Sequence, residues 1–373
     1  MINWQNIRKQ FPVLEKYIYL NPAGGSPMSM MAAEAGKRYF DEMVAEGDVP
    51  YERWMQRTEE VRGKLATLLN ACADEIGFTV NTSSAMSMIA LMLKGEGEVL
   101  TMRDEFPSST VAWINQGYNV HFVEPVNHAY PVSHIERHIT AGTRILVTSA
   151  VQYGTGFRQD LEALGKLCRK HKLLFVVNAT QAIGVMPVDV QKAGIDFMAF
   201  SGLKWTTSGY GAGVIYVSRQ MAERYRFPVA GWQSVEHPNE MNNAEWTLRK
   251  TASVMEAGCP HFPSVFALGG ALDLILSAGT DNIHQRVTGL NRLLQQELLK
   301  KGFPVITFED EKCISGITII KTSNAKTIKE HLLKKNIFVA ARGEGIRVSV
   351  SFFNNEADIE TFLEEATRIR ELF

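Results

Sequence analysis

The chain has 373 residues, 45% hydrophobic and 21% charged, with a formal net charge of −1. At roughly 100–200 residues per domain, that length suggests about two domains, enough to bury large cores. The near-neutral balance lacks the excess of Lys and Arg that nucleic acid or an anionic membrane selects, so neither partner is expected and the substrate is expected to be small.

The N-terminal stretch, Met1 to Gln10, is polar and has no apolar signal-type segment. No run approaches the ~20 apolar residues of a membrane span. Cys72, Cys168, Cys259 and Cys313 are far apart and form no C-x-x-C pair. Neither a disulfide framework nor a metal site is therefore expected. Free thiols suit a reducing compartment, and the expected location is the cytoplasm.

Phe78-Thr79-Val80-Asn81-Thr82-Ser83-Ser84 reads as strand, polar turn and helix start. Thr82, Ser83 and Ser84 stand at the helix N-terminus, where free N–H groups, hydroxyls and the dipole bind phosphate. Simple N-capping accounts for the same residues without a ligand. Strands are then expected at Glu98–Met102, Asn119–Val123, Arg144–Ser149, Leu173–Val177, Phe197–Ser201 and Gly213–Ser218, all rich in Val, Ile, Leu and Phe. Helix-length segments separate several of them. One is Asp160–His171, with Leu161, Leu164, Leu167 and Cys168 on one face. This alternation predicts an α/β fold with a mostly parallel sheet covered on both sides. Such sheets bind ligands at the carboxyl ends of their strands.

Two strand ends carry polar groups that suit a ligand. Asn178 and Gln181 follow Leu173–Val177, placed to hydrogen-bond a ring or hydroxyl, or to cap a turn. Ser201-Gly202-Leu203-Lys204-Trp205-Thr206-Thr207-Ser208-Gly209 follows the next strand. Its hydroxyls and glycines let backbone approach a ligand closely. A lysine just past a buried strand and beside Trp205 is partly desolvated, as an amine must be to form a Schiff base near neutral pH. Lys204 taken alone also reads as a surface residue.

After about residue 260 the pattern changes. A long helix is expected near Pro263–Ala278, then a second with Val287, Leu290, Leu293, Leu294 and Leu298 in one stripe. A strand at Gly316–Ile320, a helix at Ala325–Lys335 and a strand at Gly345–Ser351 follow. Asn354 or Asn355 caps the closing helix, with Ile359, Phe362, Leu363, Ala366 and Ile369 facing inward. The expected division is a large domain over 15–260, with 1–14 and 261–373 forming a smaller α+β domain.

Together these segments resemble the class V aminotransferase group of fold-type I enzymes, which use pyridoxal 5'-phosphate (PLP) and include cysteine desulfurases, kynureninases and isopenicillin-N epimerase. The resemblance runs nearly end to end. Tyr19-Leu20-Asn21-Pro22-Ala23 looks like the family's Y-L-N-x-A. Glu105-Phe106-Pro107-Ser108-Ser109 is similar to the E-F-P-S-N of the epimerase-like branch. Ser149-Ala150-Val151-Gln152, running to Thr155-Gly156-Phe157-Arg158-Gln159-Asp160-Leu161, resembles that branch's S-x-V-Q-x-x-T-G-x-R-x-D-L. The Lys204 segment resembles S-x-H-K-W, and Ile346-Arg347-Val348-Ser349 resembles the late I-R-x-S.

The resemblance implies the PLP-dependent transferase fold, with a seven-stranded, mostly parallel sheet between helices. It implies a Schiff base on Lys204, which also shuttles the proton at the substrate's α-carbon. Thr82, Ser83, Ser84 and Ser201 are implied to hold the phosphate, Phe106 to stack on the ring, Asn178 to face the ring nitrogen and Gln181 the phenolic oxygen. Arg347 is implied to bind the carboxylate of an amino-acid-like substrate, with Asn21, Ala23 and Gln152 beside it. Arginine's planar fork suits that bidentate contact, although Arg347 alone also reads as a surface ion-pair partner. Homodimers with shared active sites are implied too, with Gly258-Cys259-Pro260 at the turn that touches the partner subunit's phosphate and Gly231-Trp232 near a segment that often reaches the site.

Three positions depart from the family pattern. Asn178 replaces the aspartate that keeps the ring nitrogen protonated. At roughly 3 Å and an effective dielectric of 20, the lost ion pair is on the order of 5 kcal/mol before desolvation. Leu203 replaces a histidine, and Cys259 replaces a threonine. The desulfurase cysteine is also missing, because Val339-Ala340-Ala341-Arg342-Gly343-Glu344-Gly345 fills its region. Two readings stand: a PLP enzyme catalysing transamination, epimerisation or C–S/C–N bond cleavage, or a PLP-binding protein with weak catalysis because of Asn178. A nicotinamide-binding protein is disfavoured, since no G-x-G-x-x-G opens a helix after a strand.

Overall fold

The structure, a computed structural model, describes residues 2–373. Its centre is a seven-stranded sheet. From one edge the order is Ile76–Thr79, Gly213–Val217, Phe197–Ser201, Leu174–Asn178, Thr143–Ser149, Glu98–Met102 and Val120–Val123. The last five are mutually parallel, and Gly213–Val217 runs antiparallel to both its neighbours. The mostly parallel sheet expected from the sequence is therefore present. The strands bury both faces. Leu146, Phe175, Val177, Met198 and Phe200 enter one apolar cluster, while Ile145, Val147, Leu174, Val176, Phe197 and Ala199 enter another. Successive residues alternate between clusters because a strand has a period of two.

A third apolar cluster, in the C-terminal region, packs around a three-stranded antiparallel sheet. Its strands are Ala340–Arg342, Gly345–Ser349 and Ile317–Lys321, in that order. Leu290, Leu294 and Leu298 of the helix Thr280–Lys300 cover it, as do Ile359, Phe362, Leu363, Ala366 and Ile369 near the C-terminus. The helix Phe262–Ala278 is buried almost throughout and meets Thr280–Lys300 at 81° across Gly279. Among the described residues, no single helix is long and apolar enough to cross a membrane.

Side chains cap several of the helices. Asp160 accepts from the Ala163 N–H, and Asn355, of the two candidates, caps the last helix through the Asp358 N–H. One cap moves. Asn81, not the Thr82–Ser84 run, caps the helix Thr82–Met92, its side-chain oxygen accepting from the Ser84 N–H at 2.9 Å. Asn81 stands just before the helix in extended backbone, φ −170° and ψ 172°, as an N-cap does, which leaves the Thr82 hydroxyl for another partner.

Candidate functional site

The carboxyl ends of the central strands meet at a cavity of about 270 Å³. Ser149, Asn178 and Ser201 end three neighbouring parallel strands, and register sets Ser149 opposite Asn178. All three line the cavity, with Lys204 just beyond Ser201. The turn after Ser201 is tight. Thr206 Oγ1 donates to the Gly202 carbonyl at 2.6 Å, and the Thr207 N–H donates to the Lys204 carbonyl with Thr207 at φ +61°. A Cβ on Gly202 would stand 2.1 Å from Ser208 Oγ, so any side chain there would displace that hydroxyl. On the next turn, Gly184 at φ +106° lies against the Trp205 carbonyl, where a Cβ would come within 2.5 Å. Trp205 is thereby fixed beside Lys204, its Nε1 donating to Gln181 Oε1 at 2.7 Å.

The Lys204 amine lies 5.4 Å from the Phe106 ring centroid. Burial, and then the charges of Arg347 and Arg342, lower its pKa to about 7. An ammonium is disfavoured there because it loses water and gains no anion. Arg347 is 2% exposed. Its Nη1 donates to the Tyr153 carbonyl at 3.0 Å and its Nη2 to Asn21 Oδ1 at 3.4 Å, while Nε has no partner. Burial and the Arg342 charge lower its pKa to about 10. The cavity is lined by Lys204, Arg342 and Arg347 and by no Asp or Glu.

Asn178 is held from both ends. Its Oδ1 accepts from the Thr180 N–H at 3.1 Å, and its Nδ2 donates to Ser109 Oγ at 2.9 Å and Ser108 Oγ at 3.3 Å. Because a backbone N–H cannot accept, the Thr180 contact fixes which way the amide points. Behind the serines lies Glu105, fully desolvated. It accepts from the Ser149 N–H at 2.6 Å, from the Ser149 hydroxyl and from Gln152 Nε2 at 2.7 Å. Burial raises its pKa, against opposing hydrogen bonds from Ser149, Gln152 and Ser109. Gln181 Nε2 donates one hydrogen to the Ala23 carbonyl at 3.0 Å and keeps a second one free. Thr82 Oγ1 and Thr180 Oγ1 are 2.8 Å apart at the start of the capped helix.

Of the residues expected from the sequence, Thr82, Ser83, Phe106, Asn178, Gln181, Ser201, Lys204, Ala23 and Arg347 all line this one cavity. Four do not. Ser84 turns back to Asn81, Asn21 supports Arg347 from behind, and Gln152 supports Glu105. Cys259 is exposed and lies outside the cavity. Gly231 and Trp232 line a different cavity of about 820 Å³, formed by the 230–248 loop with no lysine or arginine. The sequence reading missed Ser108, Ser149, Tyr153, Thr180, Tyr210 and Arg342 in the lining, and Glu105 behind it. None of the four cysteines lines the cavity.

A family model described as aminotransferase class-V matches residues 18–362. The chain is similar to an uncharacterised aminotransferase, YcbU, of Bacillus subtilis, with 24% identity over 364 residues, 97% of this chain and 96% of the relative. It is also similar to a probable cysteine desulfurase of Pyrococcus abyssi, with 27% identity over 76% of this chain and 73% of the relative. Among solved structures, the apo cysteine desulfurase of Thermococcus onnurineus shares the fold, with a TM-score of 0.91 and 23% identity over 100% of this chain and 99% of that one.

Proposed function

The chain belongs to the aminotransferase class-V family, a family of PLP-dependent enzymes, and from that premise we propose that Lys204 bonds the cofactor in an enzyme acting on an amino acid. The observation that carries the assignment is a desolvated lysine at a strand end, in a cavity with two arginines and no carboxylate. The residues fit the cofactor. Thr82, Ser83 and Ser201 offer hydroxyls and helix N–H groups for a phosphate, Phe106 an aromatic face, and Gln181 a free amide hydrogen. Arg347, with an unpartnered buried Nε, binds the substrate carboxylate.

Bound PLP supplies an electron-withdrawing ring that stabilises negative charge at the substrate's α-carbon. Lys204, near pKa 7, holds or releases a proton there at neutral pH. Asn178, which would face the ring nitrogen, already gives its amide hydrogens to Ser109 and Ser108, and it could not keep a proton on that nitrogen as a carboxylate does. That single residue favours the second reading, a PLP-binding chain with weak catalysis. The segment 339–345 carries no cysteine where the desulfurases have theirs, which argues against persulfide chemistry, although relatives are named cysteine desulfurase. We place Cys259 in the partner subunit's site of a homodimer, which agrees with its exposure outside this chain's own cavity. A cytoplasmic location agrees with four free thiols.

The test is a spectral screen of the PLP-loaded protein against an amino-acid panel. Keto-acid formation identifies transamination, loss of chirality identifies epimerisation, and released sulfide or ammonia identifies bond cleavage. A protein that stays colourless with added PLP refutes the proposal.

A further inference from the structure

The cavity holds one cation more than the proposed chemistry uses. Lys204 is consumed by the cofactor, Arg347 by the substrate's α-carboxylate, and the phosphate has the helix start at Thr82. Arg342 is left over. Its place is set by strand register. Ala340 lies directly opposite Arg347, and Arg342 lies two residues further along the same strand, opposite Gly345. Residues two apart on a strand share a face, so Arg342 and Arg347 leave the same face of the hairpin as diagonal neighbours. The turn between them is pinned, since Gly343 sits at φ +60° and a Cβ there would come within 2.6 Å of the Gly154 carbonyl. That loop also supplies Tyr153, which lines the cavity and accepts from Arg347.

Among the described residues Arg342 makes no ion pair. The acid nearest in sequence, Glu344, is within ion-pair distance of His128 at 3.3 Å and Lys321 at 3.6 Å. The cavity lining offers Arg342 no carboxylate either. Its charge also contributes to the lowered pKa of both Lys204 and Arg347, as expected of a cation close to each. Arg342 is exposed and Arg347 buried, and the two like charges line one cavity without an acid, so their combined field favours an anionic ligand. The phosphate end of the cavity is built separately, where Thr82 meets Thr180 and Gly213, opposite Ser201, packs on the Asn81 backbone.

We propose that Arg342 is a specificity-determining residue that binds a second carboxylate, so that the substrate is a dicarboxylic amino acid held by Arg347 at its α-carboxylate and Arg342 at its side chain. This rests on the assignment of Lys204 and Arg347 above.

The test uses the PLP-loaded protein and calorimetry with glutarate and butyrate, which lack an amine and do not react. Glutarate should bind about tenfold tighter than butyrate, the effect of one added charge-assisted pair. Arg342→Met should erase the difference and Arg342→Lys should keep part of it. With amino acids, Arg342→Met should raise KM for L-glutamate or L-aspartate more than for L-alanine. Equal affinity for the two acids in the parent protein, or a difference that survives Arg342→Met, overturns the proposal. The visible spectrum recorded before titration separates the two claims. Absent cofactor absorption overturns both, whereas a normal spectrum without a dicarboxylate preference overturns only the role of Arg342.

Discussion

The depressed pKa of Lys204 makes the pH dependence of cofactor capture a sharp prediction. Only the neutral amine attacks an aldehyde. With the pKa lowered from 10.5 to about 7, half of the Lys204 amine is neutral at pH 7. For an unperturbed lysine the neutral share is about one in three thousand. The second-order rate of PLP capture by the apoprotein, followed by absorbance in a stopped-flow instrument, reports the free protein's amine. The sign is fixed by the direction of the shift. The rate should climb tenfold per pH unit below about 7 and flatten above about 8. Arg347→Gln removes the second-largest cause of the shift, so the bend should move to higher pH. It should not reach the ordinary lysine value, because desolvation is the largest cause and remains. A rate that keeps climbing to pH 10 in the parent protein would refute the picture of a desolvated amine flanked by unpaired cations.

Four further outcomes follow from the same geometry. Lys204→Met should stabilise the apoprotein by on the order of 2–4 kcal/mol near pH 7, after allowing for partial exposure. The unfolded chain binds the extra proton between about pH 7 and 10.5, so this gain should be largest below pH 7 and fade by pH 10.5 in thermal melts. Asn178→Asp should raise turnover about tenfold, about a third of the gross ion-pair energy, with Ser108 and Ser109 rotating their hydroxyls to donate. No gain in any half-reaction would clear Asn178 as the limiting feature. Arg347→Lys should raise KM roughly 10–100-fold with a smaller change in kcat, because a lysine cannot reproduce the fork. Gly184→Ala should cost at least about 2 kcal/mol in denaturant unfolding, since φ +106° and the Trp205 carbonyl both oppose a side chain.

Much of the site was legible because parallel sheets place polar residues at strand ends. The strands Glu98–Met102 and Phe197–Ser201 lie as read from the sequence, and Ser201, Lys204 and Asn178 follow from where such strands stop. Glu105 escaped notice because its burial is tertiary: Ser149 and Gln152 of another segment fold over it, and nothing local marks it as an interior carboxylate. Its one signal was its place just before Phe106. Arg342 was missed for a different reason. Only the hairpin register brings it onto the face of Arg347, although the Gly343-Glu344-Gly345 turn hinted at a hairpin. Thr180 and Ser108 belong to turns whose orientation periodicity does not report. Of the Thr82–Ser84 run, Thr82 and Ser83 line the cavity, whereas Ser84 turns back to Asn81, which takes the cap.

The most direct measurement is reduction of the PLP-loaded protein with borohydride, followed by digestion and mass mapping. A single pyridoxyl adduct on Lys204, lost in Lys204→Ala, is the predicted result. An adduct spread over surface lysines, or one centred on any other lysine, would contradict the assignment of the cavity.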